Sequence, residues 1–82
     1  MEKKHHTITI TVYDRGEIYR KVGELLHQFS GNILLRVGYP VPESEASVIF
    51  LMLNCTQDEL GSLSGKLGQL DKTKVKSGTL KI

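Results

Sequence analysis

From Thr7 to Tyr13 the chain alternates strictly, with Ile8, Ile10 and Val12 on one side and Thr7, Thr9, Thr11 and Tyr13 on the other. Alternation with β-branched residues predicts a strand, its Ile/Val face turned to a core. At Asp14-Arg15-Gly16 the period changes. Ile18, Val22, Leu25, Leu26 and Phe29 recur at helical spacing, while Glu17, Arg20, Lys21, Glu24 and Gln28 take the other side. That predicts an amphipathic helix over 17–29, with Gly31 expected to stop it in the left-handed conformation. Ile33 to Tyr39 reads as a second strand and Pro40 to Glu45 as a loop, because proline lacks the N–H a sheet ladder needs. Ser47 to Cys55 is apolar on both faces, as a central strand would be. Thr56-Gln57-Asp58-Glu59 has the spacing of a capping box. Leu60, Leu63, Leu67 and Leu70 then predict a second helix, in which Gly61, Gly65 and Gly68 are expected to serve close packing. A last strand is expected over 74–82.

The order β-α-β-β-α-β predicts an α+β, ferredoxin-like fold: a four-stranded antiparallel sheet with two helices on one face. In its usual strand order, 4-1-3-2, the first and third strands are central. Lys74, Lys76 and Lys81 suit the fourth to an exposed edge. Helices cover one sheet face only, so one apolar stripe of the third strand is left over. Ile49, Leu51 and Leu53 are assigned to that stripe as an oligomer interface, their even-numbered neighbours being the alternative. The expected partner is the chain itself, as a dimer or a tetramer.

Composition narrows the choice of function. At 82 residues, 1–82 reads as one domain, small enough to need support. Its single cysteine, Cys55, makes no internal disulfide and fits a reducing cytoplasm. Oligomerisation is then the expected support. The net charge of +2 demands neither nucleic acid nor anionic lipid. The apolar run Val48–Leu53 is too short to span a membrane, and no apolar segment follows the basic start to make a secretory signal. Gly61 to Leu67 resembles a phosphate loop only faintly and lies inside a leucine-patterned helix. The lysines of 71–76 come with only Phe50 as a stacking aromatic on the third strand and no Gly-Phe-x-Phe-type run, so direct nucleic-acid binding is not expected.

His5, His6, His27 and Cys55 show no metal-ligand spacing. They read as a frayed terminal pair, a helix-surface histidine and a buried thiol. No metal, no cofactor and no catalytic constellation are expected. The candidate site is the tight strand-to-helix turn, where a helix start and its N–H groups meet side chains suited to an amino acid. Arg15 would pair a carboxylate, Asp14 an amine, and the Gly16 N–H an anion.

Val12-x-Asp14-Arg15-Gly16-x-Ile18, with Val22, Leu25, Phe29 and Gly31-Asn32-Ile33, resembles the opening of ACT domains. These are βαββαβ modules that bind amino acids or other small effectors, usually between subunits. Leu26-His27-x-Phe29-Ser30, Ile33 to Val41, Ile49-Phe50-Leu51 and Leu63 to Gln69 are similar to the iron-only hydrogenase system putative regulators, ACT-like proteins associated with [FeFe]-hydrogenase maturation genes. The resemblance implies a regulatory, non-enzymatic sensing module in which Asn32 and Ile33 of a neighbouring chain close the effector site. A more distant likeness is to the ligand-binding half of the nickel-responsive repressor. The second and third strands hold no histidine, so its nickel site is not carried over, and the chain has no DNA-binding segment. The alternatives are a ligand-free interaction module, with a protein partner, and a small ferredoxin-like enzyme using His27 or Cys55.

Overall fold

The computed structural model describes residues 2–82; Met1, in the basic start, lies outside them. The elements are β1 (Lys4–Val12), α1 (Glu17–Gln28), β2 (Ile33–Pro40), β3 (Ser47–Cys55), α2 (Gln57–Gly68) and β4 (Thr73–Thr79), with one 3₁₀ turn at Ser30–Asn32. The strands form one antiparallel sheet in the order β2-β3-β1-β4, the ferredoxin-like arrangement.

Both helices lie against the side of the sheet that carries Ile8, Ile10 and Val12. Val22 and Leu26 of α1 and Leu60, Leu63 and Leu67 of α2 close the core with them. The Thr56 capping box is complete: Glu59 N–H donates to Thr56 Oγ1 at 3.1 Å, and Thr56 N–H to Glu59 Oε1 at 2.8 Å. Two helix-start donors are thereby satisfied, which fixes where α2 begins.

Register overturns the interface assignment. Ile10 lies opposite Ile49 and Ile8 opposite Leu51, and residues directly opposite in an antiparallel pair share a face. Ile49, Leu51 and Leu53 therefore point under the helices and are at most 1% exposed. They are core residues, not an oligomer interface. The stripe turned away from the helices is Val48, Phe50 and Met52.

Three smaller expectations also change. Gly31 is not left-handed, because no described glycine has a positive φ. The helix instead tightens into the 3₁₀ turn, where Asn32 N–H donates to Phe29 O at 2.9 Å. A Cβ at Gly61, Gly65 or Gly68 would meet no atom within 4 Å, so packing within the chain does not require these glycines. His6 is not frayed. β1 begins three residues earlier than its hydrophobic pattern suggests, and His6 continues the inward side of Ile8 with no exposed surface.

Candidate functional site

The turn after β1 is held from two directions. Tyr13 N–H donates to Lys72 O at 2.8 Å, and Asp14 Oδ2 lies 3.9 Å from Lys72 Nζ. Toward the other edge of the sheet, Arg15 Nη2 donates to Val41 O at 2.6 Å and to Ala46 O at 3.1 Å. Those carbonyls bracket the β2–β3 loop, itself closed by Val41 N–H to Ala46 O at 3.0 Å. Arg15 is thus fixed by one nitrogen, and its remaining donors are not used by the two carbonyls.

The Gly16 N–H donates to Asp14 Oδ1 at 2.6 Å, so it is not free to hold an anion as expected. Asp14 supplies that negative oxygen from within the turn. The first-turn N–H groups of α1 beyond Gly16 have no side-chain cap. A helix start without a side-chain cap, directly preceded in the chain by Arg15, is suited to a carboxylate.

Asn32 and Ile33 sit at the far end of α1. Twelve helical residues span roughly 18 Å, so one chain does not bring them to Asp14, Arg15 and Gly16. Asn32 Nδ2 donates to Asn54 O at 3.3 Å, and Ile33 packs against the core opposite Leu53.

Chemistry at that second pole is subdued. The Glu59 carboxyl is held below its ordinary value, chiefly by the Thr56 backbone N–H. Burial pushes the Cys55 thiol up, with the Glu59 charge adding to it, so the thiolate a nucleophile needs is disfavoured. His6 Nε2 lies 3.1 Å from Cys55 O and Nδ1 lies 3.0 Å from Thr79 Oγ1. A carbonyl only accepts, so Nε2 carries the proton and, in the neutral ring, Nδ1 accepts from the Thr79 hydroxyl. His6 is the polar residue that the sequence reading missed. Continuing the Ile8–Ile10–Val12 alternation two residues backward would have found it. His27 is exposed on α1. Among the described residues no three His, Cys, Asp or Glu side chains come together as metal ligands.

The helix-free side of the sheet is divided. Leu35 lies opposite Met52, Val37 opposite Phe50 and Tyr39 opposite Val48, an apolar half in which Tyr39 is 56% and Val37 50% exposed. Thr7, Thr9 and Thr11 of β1 and Lys74 and Lys76 of β4 make the polar half.

This strand order, with both helices on one side and an open second side, defines an ACT-like module. The chain belongs to the TM1266-like family, described as "Iron-only hydrogenase system regulator, putative", whose family model matches residues 4–77. It is 54% identical to the uncharacterized protein TM1266 from Thermotoga maritima, with a TM-score of 0.94, over 98% of this chain and 100% of that one. The ACT domain of GTP pyrophosphokinase from Chlorobium tepidum has a TM-score of 0.78 over 93% of this chain and 99% of that one. At 19% identity that likeness carries the fold. No curated protein matches the chain significantly. No helix among the described residues is long and apolar enough to cross a membrane.

Proposed function

We propose that this chain is a cytoplasmic, non-enzymatic sensing module of the iron-only hydrogenase system that works as a homo-oligomer. A small effector, an amino acid being the simplest, is held by Arg15 and Asp14 of one chain, with Asn32 and Ile33 of a neighbour. The observation that carries this reading is that Arg15, anchored to the β2–β3 loop, directly precedes the uncapped start of α1 in the chain. The carboxylate of the effector takes the remaining donors of Arg15, and its amine takes Asp14 Oδ2. Copies meet through the apolar half of the open sheet side, which is where a chain this small gains further burial.

Mixing variants tests the site. Amino acids are screened by thermal shift against the wild type, Arg15→Ala, Asn32→Ala, and the two variants refolded together. The expected result is a saturable wild-type shift, lost in each variant and regained in the mixture. Each pairing of the two variants in which Arg15 of one chain meets Asn32 of the other then has that junction intact. A shift retained by both single variants contradicts the site.

The divided sheet side favours a second reading, a ligand-free interaction module. Flat curves for every amino acid, with an intact oligomer, select it.

A further inference from the structure

The turn between β1 and α1 grips the connections on both sides of it, by two different means. Toward β4 the grip is backbone: Tyr13 N–H donates to Lys72 O at 2.8 Å, one step beyond the paired Val12 and Thr73. Toward β2 it is a side chain: Arg15 Nη2 donates to Val41 O at 2.6 Å and to Ala46 O at 3.1 Å. Among the described residues, the two non-glycine positions with positive φ lie in these same connections, Lys72 at 52° and Glu43 at 59°. Side chains rarely adopt that conformation, and it persists where surrounding contacts hold it. The β2–β3 loop is thus a strained segment held by a side chain that a ligand can draw away.

The shape of arginine decides what draws it away. A guanidinium offers a carboxylate two parallel N–H pairs, Nε with Nη2 and Nη1 with Nη2. Nη2 belongs to both. It has two hydrogens, and here it has two carbonyl acceptors. A carboxylate meets Nε or Nη1 first, but it completes a two-bond fork only by taking Nη2 from one of the carbonyls. Ala46 O is the one that gives way. Its bond is the longer, and it keeps the Val41 N–H as a donor at 3.0 Å.

We propose that Arg15 is a latch on the β2–β3 loop and that a carboxylate releases it. This rests on the effector reading above and adds its consequence: binding frees the loop at Ala46 instead of tightening it. The loop joins the two strands of the apolar half, directly after the pairs Tyr39–Val48 and Pro40–Ser47. The effector's presence is therefore delivered to the side of the sheet proposed for assembly. By linkage, whatever holds the loop closed opposes the carboxylate.

Nuclear magnetic resonance on the full chain tests the latch with acetate, a carboxylate with no amine, against chloride at the same ionic strength. The Arg15 Nε–H resonance reports binding, amide exchange at Val41 reports the loop, and amide exchange at Tyr13 reports the backbone-held side. Acetate is expected to move the Arg15 resonance saturably and to speed exchange at Val41 by about tenfold, with Tyr13 unchanged. Arg15→Ala, melting cooperatively, is expected to exchange fast at Val41 without acetate and to gain nothing from it. A response at Arg15 with none at Val41 overturns the latch and leaves the effector site standing. No response at Arg15 overturns both. Exchange at Val41 as slow in Arg15→Ala as in the wild type also overturns the latch.

Discussion

Phe50 and Leu51 are neighbours on one strand, equally apolar, and the fold puts them to opposite uses. Leu51 faces β1, α1 and α2 and is fully buried, whereas Phe50 is 36% exposed on a side that no helix covers. One side of β3 completes the protomer; the other is left uncovered by it. Residue type does not separate the two roles. Position relative to the helices does.

The largest expected difference lies between substitutions at these two positions. Leu51→Ala opens a cavity in the core and should cost about 2–5 kcal/mol in urea unfolding, at any protein concentration. Phe50→Asp should dissociate the oligomer and leave the protomer folded, less stable only by what assembly contributes and with a stability independent of protein concentration. If Phe50→Asp unfolds the protomer as Leu51→Ala does, the two sides are not distinct.

A smaller effect sharpens the covered side. Thr56→Ala removes the hydroxyl of the α2 capping box and should cost about 1 kcal/mol, seen as a lower melting temperature. Its partner Glu59 gives the pH signature. Its folded-state carboxyl sits below the usual 4.5, so between that value and the folded one the unfolded chain binds more protons. The contribution is present above 4.5 and is lost as pH falls through the folded value. Glu59→Gln should therefore flatten stability against pH on the acid side and change nothing in its slope near neutrality.

The smallest effect is chemical. With its thiol buried and pushed up, Cys55 should react with a thiol reagent at pH 8 only after unfolding. Rapid native labelling would show that the end of β3 is open.

The elements were legible in the chain because local physics writes them. Strict alternation marked β1, helical spacing marked α1, and Thr56 with Glu59 fixed the start of α2. The covered side of β3 was not legible, since Val48-Ile49-Phe50-Leu51-Met52-Leu53 offers a good stripe either way. Only the register with β1, where Ile8 and Ile10 have a polar opposite side, breaks the tie. Arg15 shows a second limit. Its residue type suggested a ligand contact, but its grip on the Val41 and Ala46 carbonyls depends on a loop 26 and 31 residues away. Pattern along the chain carries no such distance. Asn32 and Ile33 entered through family resemblance, and their separation from Arg15 by the length of α1 requires a second chain if the site is to form.

Assembly through the open side is the central claim, and solution mass measures it most directly. Light scattering on the purified chain at micromolar concentration should give two or four chain masses for the wild type and one for Phe50→Asp, with both folded. A wild type that stays monomeric across that range, or a Phe50→Asp variant that keeps the full mass, would contradict it.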